Sequence, residues 1–159
     1  MTTVSLNNFQ PYISGFIPEP VLISDIPEVT VLDGSIFGAE RTSLITSLIS
    51  ENPEYSWCIK RKGVIAAFVI GRKGAKYMQI GPVSAQTSDE AMVLISQILA
   101  RSFNQPLVVD VCAEKIELID WLSNIGFVRQ RDFVRMYWKK NLCPGKPENQ
   151  NLICGPEFG

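Results

Sequence analysis

Residues 79–99, QIGPVSAQTSDEAMVLISQIL, decide the fold. They read as a strand, a tight turn and the start of a helix, a layout in which many enzymes hold a phosphate. Ala91, Leu94, Ile95, Ile98 and Leu99 recur at helical spacing, so a helix is expected over 88–103, capped by Thr87 or Ser88. The turn has no glycine after Gly81, and it sets Asp89 where a phosphate would need backbone amides.

Working outward, the segments before this stretch are strand-like. YSWCIKRK (55–62), VIAAFVIGR (64–72) and KYMQIGPV (76–83) are joined by Gly63 and the Lys73-Gly74 turn, which predicts a meander. A helix is expected at about 39–51, where Leu44, Ile45, Leu48 and Ile49 share a face and Asn52-Pro53 ends it. Residues 1–28 hold Pro11, Pro18, Pro20 and Pro27 and read as an extended arm with at most an edge strand. Beyond the stretch, PLVVDVC (106–112) has the apolar run of a central strand. AEKIELIDWLSNI reads as a helix closed by Gly126, and the alternation from Val128 to Trp138 reads as a long strand. A loop over Cys143–Pro147 and a last short strand at 152–154 follow. Antiparallel strands followed by crossovers imply an α/β (α+β) domain, with a mixed, mostly antiparallel sheet and helices on both faces.

Composition bounds the function. The 159 residues form a chain long enough for one cored domain, and 46% hydrophobic with 19% charged residues suits a soluble one. A net charge of −1 points to no nucleic acid as partner. Residues 1–40 carry five acids and no base, unlike a secretory signal or transit peptide, and the longest apolar run, Val64–Ile70, is too short to span a bilayer. The expectation is a cytoplasmic protein with no membrane partner. Cys58, Cys112, Cys143 and Cys154 are widely spaced, which favours free thiols and no metal site. There is no histidine, so His-based triads and imidazole bases are excluded. Lys60, Arg61, Lys62, Arg72, Lys73 and Lys76 are expected to form a solvated rim around the hairpins.

From about residue 29 to 155, the order and spacing of these elements resemble the GNAT acetyltransferase superfamily. That resemblance implies acetyl-CoA held between two splayed strands, with its pyrophosphate on a Q/R-x-x-G-x-G/A turn. The turn corresponds to Gln86-Thr87-Ser88-Asp89-Glu90-Ala91, in which Gln86 and Ala91 match and Asp89 replaces the central glycine. One branch is resembled more closely, through Asp33…Phe37-Gly38-Ala39-Glu40-Arg41, Ile80-Gly81-Pro82-Val83, Gly126-Phe127, Arg131-x-Phe133-x-Arg135-Met136 and Gly155-Pro156-Glu157. In that branch such a unit commonly forms the C-terminal half of a longer protein. The expected organisation is the proline-rich arm at 1–28 and a GNAT-like domain at 29–159. The resemblance implies a partner acetyltransferase domain, and packing of the arm on a neighbour would make a homodimer.

Under this reading the backbone of Ile80, Gly81 and Val83 holds the pantetheine arm. Ala85, Gln86, Thr87, Ser88 and Ala91 seat the pyrophosphate, and a small-molecule or peptide amine accepts the acetyl group. Asp110, a charge inside an apolar strand, is either ion-paired with an arginine of the next strand or functional. Asp110 or Glu114 is the candidate proton relay. Leu122 stands where many members of the superfamily have an acid tyrosine, which leaves Tyr137 as the nearby phenol. Asp33 is expected to cap the turn into the first helix. At about 5 Å and an effective dielectric near 20, the charge of Asp89 costs an incoming phosphate roughly 3 kcal/mol, about a hundredfold in affinity. Two functions follow: an N-acetyltransferase, or a GNAT-fold binding or scaffold module that has lost its cofactor.

Overall fold

The computed structural model describes residues 1–158 apart from 4, 5, 7, 8, 103, 104, 137 and 138. Its strands are β1 (Thr2–Thr3), β2 (Pro18–Pro20), β3 (Ser56–Arg61), β4 (Val64–Lys73), β5 (Met78–Ser84), β6 (Leu107–Val109) and β7 (Gln150–Leu152). Its helices are α1 (Ile26–Phe37), α2 (Thr42–Glu51), α3 (Ser88–Leu99) and α4 (Ile116–Asn124). The sheet runs β1-β6-β5-β4-β3-β2, with β7 paired to β5. Every pairing is antiparallel except β5 with β6, so the sheet is mixed and mostly antiparallel, as expected.

Two cores cover the two faces. Ala67 and Val69 of β4 and Ile80 of β5 pack under Leu94, Ile95 and Ile98 of α3 and Leu118 and Leu122 of α4. Phe68 and Ile70 of β4, pointing the other way by the strand alternation, pack against Val29 of α1 and Ile45 and Leu48 of α2. The residues expected to be an arm lie on this body. β2 adds an edge strand to β3, Phe9 is buried in the first core, and Tyr12 N donates to Ser96 Oγ of α3 at 3.0 Å.

Two sequence expectations need correction. Asp33 is no cap; it sits inside α1, a helix hidden from a linear reading by Pro27 and by the turn-like Asp33-Gly34 pair. Pro27 lies in the first turn of α1, where its missing N–H costs nothing. Asp33 accepts from Arg41 Nε at 3.0 Å and Nη2 at 2.6 Å, and both side chains are nearly inaccessible to solvent. The helix ends at Gly38 in a left-handed conformation (φ +91°), a Cβ there would press on the Cys143 carbonyl, and the Phe37 ring lies 3.7 Å from the Arg41 guanidinium.

The alternating run expected at 128–138 is the second correction, over its described residues 128–136. Val128 makes one bridge with Thr2, and residues 129–136 form no strand and are exposed. The outer edge of β6 that such a strand would join is taken by Thr2 and Thr3, paired with Val108 and Leu107.

Candidate functional site

β5 and β6 run in parallel register from Met78/Leu107 to Ile80/Val109 and then separate. Gly81 and Asp110 mark the fork, and β7 lies inside it. Val83 pairs with Leu152 and Ser84 with Gln150 on one side. On the other side Ile153 N donates to Asp110 O at 3.0 Å and Cys112 N to Asn151 O at 3.1 Å, and Val111 bridges Leu152. Ala85 N donates to Asn149 O at 2.9 Å, and Asn151 Nδ2 donates to Ala85 O at 2.9 Å. Gly81 (φ +147°) is a glycine for this reason: a Cβ there would lie 2.1 Å from the Ile153 carbonyl oxygen. The three residues of β7 are buried, so a central strand fills the wedge.

The turn that follows is also occupied. Thr87 is the N-cap of α3, its Oγ1 accepting from Glu90 N at 3.2 Å. The Glu90 carboxylate turns back: its Oε2 accepts from Gln86 N at 2.9 Å and Thr87 N at 3.1 Å. This is a capping box. It also places a carboxylate on the amides that a phosphate would use. Arg61 Nη2 donates to Glu90 Oε1 at 2.5 Å and Nη1 to Gln86 Oε1 at 2.9 Å, so the seat holds a resident anion and its countercation. Glu90 is fully buried.

The N-terminal residues close the rim. Tyr12 Oη donates to Asp89 Oδ1 at 2.5 Å, and the bond holds the phenol proton above its ordinary range. The Tyr12 ring meets Trp121 edge-on at 6.1 Å, and Phe16 lies 5.7 Å from the Arg61 guanidinium.

The proposed cofactor residues are therefore brought together, but the backbone amides of Gln86 and Thr87 are already bonded to Glu90, while the side chains of these two residues are exposed. Ile80, Gly81, Val83, Ala85 and Ala91 are buried, Gln86 and Thr87 bind Glu90, and Ser88 starts the helix. A pantetheine arm would need the β5 edge that β7 uses, and a diphosphate the amides that Glu90 uses. The residues present do not fit the group. Of the proposed catalytic residues, Asp110 is half-buried and accepts from Gln79 Nε2 at 3.0 Å; burial pushes its carboxyl above the usual range, against the pull of nearby positive charges. Its partner is thus an amide, and no ion pair joins it to an arginine among the described residues. Glu114 is exposed in the turn before α4, Leu122 is buried, and Tyr137 lies outside the described residues. No group of acids and cysteines among the described residues could hold a metal ion.

Sequence reasoning missed the wedge, because nothing local in QNL says which two strands it parts. The hairpin cations Arg61, Lys62, Lys73 and Lys76 are exposed, as the expected rim requires. What the linear reading did not show is that Lys60, Arg61, Arg72 and Lys73 each hold a carboxylate. The Thr87-x-x-Glu90 spacing was the available signal for the filled seat.

A family model described as "Acetyltransferase (GNAT) domain" matches residues 29–152. An uncharacterized N-acetyltransferase of Bacillus subtilis (strain 168), YitH, is 26% identical over 138 residues, 86% of this chain and 49% of that protein. The chain spans about half the length of this curated relative.

Proposed function

Starting from a chain that belongs to the acetyltransferase (GNAT) domain family, we propose that this unit is a non-catalytic GNAT-fold binding module, whose acetyl-CoA cleft is closed by its own backbone. The observation that carries the reading is β7, hydrogen-bonded to the divergent edges of both β5 and the chain after β6. Opening the slot means breaking buried backbone bonds on two sides, and no single ligand arm restores both sets. Glu90 and Leu122 support the same reading, one by filling the anion seat and the other by withholding an acid. The module acts through contact with another chain or through a small ligand.

The test is isothermal titration of the protein with acetyl-CoA and, separately, with CoA. No heat is expected up to millimolar ligand, for the natural chain and for Asp89→Gly alike. Micromolar binding by the natural chain would sink the proposal.

A second reading is favoured by the family and by the relative's name, N-acetyltransferase. In it β7 withdraws, the edge of Ile80–Val83 takes the pantetheine arm, and acetyl passes to an amine of a small molecule or peptide. Acetyl-CoA would then have to abolish amide-exchange protection at Ile153 and Cys112.

A further inference from the structure

Arg72 is the penultimate residue of β4, and Gln79 faces it on β5 in direct register. Both point to the sheet face covered by α1 and α2, away from α3. Arg72 Nη2 donates to Gln79 Oε1 at 2.8 Å, and Gln79 Nε2 donates onward to Asp110, which fixes the amide's orientation. The same Nη2 meets the Glu157 carboxylate. Arg72 Nε, in contrast, is buried with no acceptor. A guanidinium presents Nε and Nη together as a fork that matches the two oxygens of one carboxylate. Glu157 leaves half of that fork unused.

The segment that brings Glu157 is anchored at its ends, by buried Gly155 and by Phe158 against the α1/α2 core, and lightly held between them. Pro156 and Glu157 are exposed, and an ion pair with a half-exposed partner contributes little to stability. Gly155 (φ +127°) folds the segment onto Arg72 and Gln79, and the Phe158 ring lies 5.1 Å from the Arg72 guanidinium. Arg41 Nη1 approaches the Phe158 carbonyl at 3.5 Å. The segment thus offers a carboxylate and an aromatic ring to one arginine, as an external ligand would, but engages the carboxylate from one side of the fork.

We propose that Arg72 and Gln79 form a binding site for a carboxylate joined to an aromatic ring, which Gly155–Phe158 occupies as an internal, displaceable ligand. An external carboxylate that reaches both Nε and Nη2 gains the bond that Glu157 does not make, and its ring replaces that of Phe158. The chemistry can come from a free aryl-alkyl acid or from an acidic-aromatic peptide. The site lies on the sheet face opposite α3, and its probes carry no CoA, so its test reads separately from the acetyl-CoA titration.

The test uses 3-phenylpropionate and the capped peptide Gly-Pro-Glu-Phe as probes, followed through the Gln79 side-chain amide resonance and by titration calorimetry. Glu157→Ala is expected to bind at least one probe about tenfold more tightly than the natural chain and to shift the Gln79 signal. Adding Arg72→Lys, which keeps the charge and removes the fork, should abolish that gain. Tighter binding of the peptide would assign the site to another protein, and tighter binding of the free acid to a small molecule. Equal affinity in the natural chain and Glu157→Ala, an unmoved Gln79 signal, or a gain that survives Arg72→Lys would overturn the proposal.

Discussion

Arg41 and Asp33 form a two-pronged ion pair almost out of reach of solvent, and the guanidinium also lies over the Phe37 ring. Such a pair adds little over a well-packed apolar substitute, yet removing one partner leaves the other charge buried alone. Asp33→Ala should therefore destabilise the protein by about 3–5 kcal/mol, read as a drop in the urea midpoint with an unchanged slope. A loss under about 1 kcal/mol would mean that Arg41 finds another acceptor and that the pair is peripheral. Glu90 shows how the same chemistry acts at the cleft. One buried carboxylate satisfies two turn amides and one guanidinium, three roles that a bound phosphate could also fill. The Thr-x-x-Glu spacing made this capping legible in the sequence, whereas the Arg61 countercation, 29 positions away, was not.

At the scale of elements, β7 is the unusual piece. Three residues, Gln150 to Leu152, do the work of a central strand because they pair on both sides. Asn151 adds side-chain bonds from Nδ2 to the Ala85 and Asn149 carbonyls, at 2.9 and 3.2 Å. Asn151→Ala removes the side-chain donor to the buried Ala85 carbonyl, while the Asn149 carbonyl keeps its bond from Ala85 N. It should cost about 1–3 kcal/mol, measured by chemical denaturation. Exchange of the Ile153 and Cys112 amides should become faster in parallel. Unchanged stability would show that β7 is a loose insert, which would revive the reading in which it withdraws. The meander β3-β4-β5, α2, α3 and α4 were legible because each carries its own period and its own stop signal. α1 was not, since Pro27 and Asp33-Gly34 look like breaks until a first-turn position and a distant arginine are known. Residues 128–136 failed the other way. Their alternation is that of a strand, but pairing depends on a free edge, and the edge of β6 belongs to residues 2 and 3. Local pattern sets what a segment can be; edge occupancy decides whether it is.

Over the whole molecule, the two cores are separated by one sheet, and the thiols report on their closure. Cys58 and Cys154 are fully buried in the α1/α2 core, and burial pushes both thiols up to about 11. Cys112 is partly covered and also raised by burial, while Cys143 is exposed. Only the thiolate attacks, so at pH 8 a thiol near 11 is reactive about one part in a thousand, before access is counted. A disulfide reagent added to the native protein at pH 8 should therefore label Cys143 first and Cys112 more slowly. Cys58 and Cys154 should react together and only at the rate of unfolding, because Ile70 and Phe68 seal the same core above them. Raising the pH to 9 multiplies the thiolate of the two buried groups about tenfold without admitting the reagent, so a rate that stays flat marks opening as the limiting step. Labelling of Cys154 ahead of Cys58 would mean that the chain after β7 detaches while the rest of the core holds. That result would put the weak point of the fold beside the segment that covers Arg72.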